Sequence, residues 1–378
     1  MVDIPFPHAS KQGVVAVNSP GYLRQMLGNL ARGVVSVPLR HAQDQERMTR
    51  TGVSEVVTPQ GDHGWLKMAF TSQGGDDLAQ ISFTSGTEGV AKGVYLSAGN
   101  LHDVVARLRD VMALTSEVRE YIGVPVYHSF GYGRARAVLD AGGRCFIPQG
   151  GFDLIELRDM LRAGEINAIS AVPSLWHLFL QSLDLFGDEL GEVRWVEIGS
   201  QHMSAQDKGA LRDALPNARI VQHYGLTEAS RTTFQRIDTA ADGTLASVGS
   251  ATGGVQLSLD EKGRVLIKGP HVALGIDDGT SYRALARGDW LKTSDQGQLE
   301  GGLLYYEGRS DDVINLSGIK LSPDLMEAHV RQSVEAPGDF GILRCADPAR
   351  GDGILVVFGP DATARKEAIV DAIDTYAK

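Results

Sequence analysis

The feature that most constrains this chain is an alternation of short β-branched runs with amphipathic helical stretches over its first 225 residues. Runs rich in Val and Ile fall at 14–17, 34–39, 80–84, 121–125, 144–148, 168–172, 193–198 and 219–223. Short apolar segments bounded by turn residues read as strands. Between several of them, residues 100–113, 154–162, 174–186 and 205–215 repeat apolar side chains at three- and four-residue intervals, which gives a helix one apolar face. Strands separated by helices predict parallel sheets covered by helices, an α/β fold.

From about 248 to 308 the pattern changes to short alternating runs (255–259, 264–268, 303–307) separated by Gly, as in a small antiparallel sheet or barrel. After Arg309 a third zone reads as one strand pair with one or two helices. The chain thus divides into a large N-terminal body, 1–308, that includes a β-rich subdomain at 248–308, then a link at 309–312 and a small hinged α+β domain at 313–378. The seam is the polar stretch Gly308-Arg309-Ser310-Asp311-Asp312, where few contacts are expected to cross.

Composition narrows the function classes. A net charge of -11 argues against a nucleic-acid partner, because a phosphate backbone needs clustered Lys and Arg. No segment is long and apolar enough for a bilayer, and Met-Val-Asp-Ile-Pro-Phe-Pro at the start lacks a secretory pattern. Cys145 and Cys345 belong to no CxxC or Cys/His cluster, so a reduced cytoplasmic protein without structural zinc is expected. Nothing in the sequence fixes an oligomeric state.

The run at 80–84 leads into Thr84-Ser85-Gly86-Thr87-Glu88-Gly89-Val90-Ala91-Lys92-Gly93. Glycines permit the φ > 0 turns that aim several N–H groups at one anion, and Lys92 adds a mobile cation, so the string suits a polyphosphate. It is not a Walker A loop, since Ala91 precedes Lys92 where Gly is required and Gly93 follows where Ser or Thr is required. Taken alone, it is equally compatible with a glycine-rich surface turn.

Further segments resolve that choice. With Ser97 and Asn100 just beyond, the loop resembles the signature of the adenylate-forming superfamily, which holds acyl- and aryl-CoA ligases, peptide-synthetase adenylation domains and firefly-type luciferases. Val124-Pro125-Val126-Tyr127-His128-Ser129-Phe130-Gly131 is similar to its Pro-x-x-His-x-x-Gly segment. Gly199-Ser200-Gln201-His202-Met203-Ser204 is similar to its Gly-Gly-Ala-Pro-Leu-Ser turn, with Ser200 for the second Gly. Tyr224-Gly225-Leu226-Thr227-Glu228 resembles Tyr-Gly-x-Thr-Glu. Gly288-Asp289-Trp290-Leu291-Lys292-Thr293-Ser294-Asp295 resembles Gly-Asp-Trp-x-x-Thr-Gly-Asp, and the stretch from Gly308 to Gly318 resembles the hinge motif. The segments occur in the family's order.

The resemblance implies a two-step reaction. A carboxylate attacks the α-phosphate of ATP to give an acyl-AMP and pyrophosphate, and a thiol of CoA or of a carrier protein's phosphopantetheine then displaces AMP. Positioning and charge neutralisation dominate such chemistry. By resemblance, Thr84, Ser85, Gly86, Thr87, Gly89 and Lys92 would hold the phosphates, and Thr227 would bond the α-phosphate. Glu228 would hold Mg²⁺, a hard cation that suits a carboxylate; its alternative reading is the first turn of a solvated helix. Asp295 and Arg309 would bind the ribose, and Tyr224 would stack on the adenine. His128 would stand beside the acyl carboxylate. Gly225, Gly199 and Ser200 would border the acyl pocket, whose residues are expected at 127–131, Trp176, 198–202 and 225–230. Glu88 and Ala91 depart from the family's usual Thr or Ser and Pro.

Asp311 would be the hinge about which a C-terminal domain rotates between half-reactions. That domain begins as expected with Gly318-Ile319-Lys320-Leu321-Ser322-Pro323, more like acyl-CoA ligases than peptide-synthetase domains, but looks truncated: no late Gly-Lys pair follows residue 318. A compact variant, a partner-dependent enzyme, and a non-catalytic nucleotide- or acyl-binding protein are the three readings of that difference. A stand-alone adenylation enzyme serving amide formation is the same-class alternative. No Asp occurs at 127–131, which favours an aryl or aliphatic acid over an amino acid as the small carboxylic acid substrate.

Overall fold

A computed structural model describes residues 5–84, 91–310, 314–316, 319–334, 337–347 and 351–376. Two large sheets form the body. The first has seven strands, with Lys11–Val15, Val35–Leu39 and Glu55–Val57 parallel to one another and Leu78–Thr84 parallel to Val35–Leu39. The second has eight, with Arg119–Ile122, Arg144–Ile147, Ala168–Ala171, Trp195–Ile198 and Arg219–Leu226 parallel at its centre. Helices Ala98–Met112, Ser129–Asp140, Leu154–Arg162, Pro173–Gln181 and Ala205–Ala214 connect or cover these strands. The central strands carry fully buried Ile169, Val196, Ile198 and Ile220, as expected when both faces of a parallel sheet are covered. Each such side chain contributes about 1.5–3 kcal/mol on removal from water.

The α/β architecture agrees with the sequence pattern, but both sheets are mixed. Leu78–Thr84 and Lys92–Ser97 are an antiparallel pair around the glycine-rich loop. Arg219–Leu226 and Ala229–Arg236 form an antiparallel pair with a register shift between Tyr224 and Leu226. Thr227 and Glu228 therefore form a hairpin turn, and the helix-start alternative for them is overturned. A two-residue turn between strands needs no helix signal, and periodicity sees only the flanking runs.

Between 248 and 308, strands Gln256–Leu259, Arg264–Lys268, Leu291–Glu300 and Leu303–Arg309 make a four-stranded antiparallel sheet. Gly275–Asp277 and Tyr282–Ala284 instead return to the edge of the first large sheet beside Lys92–Ser97. In the C-terminal zone, four short strands rather than one pair stack against helices Pro323–Ser333 and Lys366–Tyr376 around buried Met326, Val330, Ile342 and Ile369. Among the described residues no helix is long and apolar enough to cross a membrane.

Candidate active site

Thr84 ends one strand and Lys92 opens the next, in register as direct neighbours, so both stand at the mouth of the hairpin that carries the glycine-rich loop. Ser85, Gly86, Thr87, Glu88 and Gly89 lie outside the described residues. The base of the loop is held by Arg50, a residue the sequence motifs do not single out. Its guanidinium donates to the Ala91 carbonyl at 2.6 Å and to Asp277 Oδ2 at 3.0 Å, and lies 5.0 Å from the Phe83 ring centroid. A planar fork can serve a carbonyl and a carboxylate at once, which an ammonium point charge does not.

One backbone segment ties this hairpin to the Thr227-Glu228 turn. Ile276 pairs with Val94, and the Leu274 N–H donates to the Tyr95 carbonyl at 2.8 Å. One residue earlier, the Ala273 N–H donates to the Glu228 carbonyl at 2.9 Å, and Val272 bridges Ala229. Asn100 fixes the same segment: its side chain completes the capping box with Ser97 and donates to the carbonyls of Pro270 and Val272 at 2.7 and 2.8 Å. A cap that also staples a neighbouring strand explains a polar side chain buried there.

A cavity of about 180 Å³ opens where the second sheet meets the four-stranded sheet. On one wall the Tyr224 hydroxyl donates to Asp295 Oδ2 at 2.6 Å. Asp295 is 3% exposed and paired in register with Arg309, whose Nη1 stands 4.0 Å from Asp295 Oδ1. Burial, reinforced by Asp295, pushes the Tyr224 hydroxyl well above its ordinary pKa, so it remains a donor. Tyr306 lines the same wall, its ring 6.0 Å from that of Tyr224.

The opposite wall is the turn after Trp195–Ile198. Ser200 has φ +75°, a left-handed conformation that costs a residue with a Cβ roughly 1–2 kcal/mol. This is the position at which the resembling turn carries Gly. Gly199 is required for a different reason: a Cβ there would sit 2.1 Å from Cε1 of His223. Gly225 is required at the hairpin's register shift, where a Cβ would meet the Arg231 backbone nitrogen at 2.5 Å. The structure thus brings Gly225, Ser200, Tyr224, Asp295 and Arg309 to one cavity.

The remaining expected residues are placed elsewhere or differently. His128 is exposed at the N-cap of Ser129–Asp140, with no side-chain capping bond, and its ring lies 4.6 Å from that of Tyr127. It is not among the residues lining the cavity. Trp176, expected in the acyl pocket, is instead fully buried in the core against Phe179, 5.4 Å between ring centroids. Its place at helical spacing among apolar residues of Pro173–Gln181 accounts for that. Asp311 lies outside the described residues.

Beneath the cavity is a buried charge cluster that motif reading missed. Glu197 is fully buried and accepts from Arg231 Nε at 2.7 Å; His223 Nδ1 lies 2.9 Å away. Arg134 stands 3.8 Å from Glu197 and forms a close pair with Glu120. Burial alone would raise the Glu197 pKa, but Arg231, His223 and Arg134 outweigh it and hold the carboxyl well below the usual range. Arg231 reaches this position from a left-handed backbone, φ 54°, and over Gly133, where a Cβ would lie 2.3 Å from its Nη1. The available signal was a Glu inside the apolar run Trp195-Val196-Glu197-Ile198, since a lone charge in a covered strand must find a partner.

Fold and site together define an α/β protein whose cavity presents a buried carboxylate between a tyrosine and an arginine. Residues 49–276 match the family model of AMP-binding enzymes, and the chain belongs to that family. It is 28% identical over 271 residues to the 4-coumarate–CoA ligase-like 2 of Arabidopsis thaliana, covering 67% of this chain and 47% of that one. It is 26% identical over 268 residues to an L-proline–(L-prolyl-carrier protein) ligase of Pseudomonas fluorescens, covering 67% and 53%. The chain spans about half the length of the curated relatives it matches. Its fold matches that of ATP-bound MatB from Rhodopseudomonas palustris at a TM-score of 0.75 and 21% identity, covering 98% of this chain and 83% of the other.

Proposed function

We propose that the protein activates an organic carboxylic acid with ATP and passes the acyl group to a thiol. The observation that carries this reading is the Tyr224–Asp295–Arg309 cluster in a cavity that is also lined by Ser200, Gln201 and His202. A buried carboxylate flanked by a fixed donor and a cation suits a ribose, whose two hydroxyls can donate to Asp295 while Arg309 donates to the sugar oxygens. Thr84 and Lys92 would meet the phosphates, and the resemblance assigns Ser85, Gly86, Thr87 and Gly89 to the same role.

In the first step a carboxylate oxygen forms a bond to the α-phosphorus and the bond to the leaving pyrophosphate breaks. Lys92 offsets charge on the phosphates, and the Thr227 hydroxyl donates to a non-bridging oxygen. In the second step a thiol sulfur attacks the acyl carbon, AMP leaves, and the thiol proton passes to solvent. The relatives named as ligases of CoA and of a carrier protein support a thiol acceptor. Mg²⁺ takes few protein carboxylates and completes its shell with phosphate oxygens and water. Glu228 is the carboxylate proposed to hold it, where it would neutralise charge between phosphate oxygens. The link at 309–312 is proposed as the hinge.

ATP–pyrophosphate exchange with a panel of carboxylic acids tests the reading. Exchange with at least one acid is expected, together with a fall of 100-fold or more in Lys92→Ala. ATP binding without exchange for any acid would instead leave a nucleotide-binding protein. Trapping the acyl product with CoA or with a phosphopantetheinylated carrier decides the acceptor.

A further inference from the structure

One member of the buried cluster under the cavity, His223, reaches the cavity wall. Its ring occupies the space a Gly199 side chain would take, with Nε2 only 2.3 Å from the site of the missing Cβ. The other nitrogen, Nδ1, is buried and faces Glu197 at 2.9 Å. Arg231 holds Glu197 ionised, so Glu197 can only accept and Nδ1 must carry the proton. Nε2 is then a bare acceptor, and it makes no hydrogen bond to any described residue. Gln222, also on the cavity wall and 1% exposed, keeps its Oε1 without a donor.

We propose that the Glu197–His223 pair makes this site select carboxylic acids that bear a hydroxyl group, with His223 as the specificity residue and Glu197 positioning it. The inference rests on the proposed acid activation and names its substrate class. An unsubstituted acid would bury the two unpaired acceptors against apolar surface, an unmade hydrogen bond that costs about tenfold or more in affinity. An amino acid would also offer a donor, but its ammonium would lose its hydration beside a ring on which burial and Arg231 already disfavour a positive charge, a cost that a neutral hydroxyl does not carry. A second carboxylate on the substrate would need a protonated His223, and burial together with Arg231 lowers the pKa of that ring.

The test is ATP–pyrophosphate exchange with matched acids: 2-hydroxybutyrate against butyrate, and the three hydroxybenzoates against benzoate. The amine and dicarboxylate arms are 4-aminobenzoate and succinate. Wild-type protein should prefer at least one hydroxy acid over its parent by about tenfold or more in kcat/KM. In His223→Leu that ratio should fall to about one. Glu197→Gln adds a readout that a purely structural role would not move. Its amide N–H would donate to Nδ1, shift the ring proton to Nε2, and invert the preference toward 2-oxobutyrate over 2-hydroxybutyrate. No hydroxyl preference in the wild type, a preference that survives His223→Leu, or a preference for the amine or dicarboxylate arm overturns the inference. The wild-type comparison stands even where a variant fails to fold. Absence of exchange with every acid would instead overturn the acid-activation reading. Thermal shifts with AMP and the same acids then decide the inference: a hydroxyl-dependent rise in Tm lost in His223→Leu supports it, and equal shifts for both members of each pair overturn it.

Discussion

The Tyr224 hydroxyl donates to Asp295 Oδ2 at 2.6 Å, joining the end of strand Arg219–Leu226 to the middle of strand Leu291–Glu300 in another sheet. Asp295 is further fixed by its own backbone, whose N–H donates to the Thr293 hydroxyl at 3.1 Å, while that hydroxyl donates to the Val265 carbonyl at 2.8 Å. The carboxylate is therefore held in one orientation before any nucleotide arrives. That pre-organisation is what a sugar-binding acceptor needs.

Asp295→Asn should weaken nucleotide binding by about 10–100-fold, the worth of hydrogen bonds to a charged acceptor. Tyr224→Phe should weaken it less, because it loosens the carboxylate without removing it. The double variant should cost less than the sum of the two, since both act on one orientation. Calorimetric titration with AMP reads all three; strict additivity would show that the pair does not act as a unit.

Arg50 gives a second prediction. Its side chain is 11% exposed and joins the Ala91 carbonyl, Asp277 and the Phe83 face. Arg50→Lys keeps the charge and loses the fork, so the loop's base should loosen. An ATP KM raised by about 10-fold is expected, with global stability lowered by only about 1 kcal/mol. Urea unfolding and exchange kinetics on the same samples separate the two effects. A stability loss with unchanged KM would make Arg50 a general structural anchor.

Much of this arrangement was legible in the sequence, for identifiable reasons. The parallel centre of each sheet follows from β-branched runs spaced by helices, and the residues lining the cavity from ordered short motifs. Periodicity could not supply pairings between distant segments: the return of Gly275–Asp277 to the edge beside Lys92–Ser97 depends on backbone bonds across more than 170 residues of chain. Nor could a motif locate Glu197, Arg231 and His223, which become a cluster only when adjacent strands register. Trp176 went the other way, because an aromatic side chain on a helix looks the same in a core as beside a pocket.

Gly199 tests the close approach directly. Its missing Cβ would lie 2.1 Å from the His223 ring, and the ring is trapped between Glu197 and Phe130, whose centroid lies 4.9 Å away. Gly199→Ala should destabilise the protein by about 1–3 kcal/mol through overpacking. In a His223→Ala background the same change should cost little, because the space is then free. Denaturant midpoints of the four proteins give the coupling, and a Gly199→Ala penalty undiminished by His223→Ala would mean the turn itself resists a side chain.

The buried histidines set the last expectation, a loss of stability in mild acid. His271 is 1% exposed, and its Nε2 lies 3.0 Å from the Thr232 hydroxyl. Burial, aided by Arg107, lowers its pKa from 6.5 to about 3. Between those values the unfolded chain binds a proton that the folded protein refuses. The stability of the neutral ring is thus fully present above pH 6.5 and is lost as the pH falls toward 3, at up to ~1.4 kcal/mol per pH unit. His202, lowered to about 4 chiefly by burial, acts in the same direction over a narrower window. His271→Asn can keep a hydrogen bond to Thr232 without titrating, so its unfolding free energy should fall less between pH 7 and pH 5 than that of the wild type. Urea titrations at several pH values across that range measure the difference, and parallel profiles would show that His271 is protonated in the folded state.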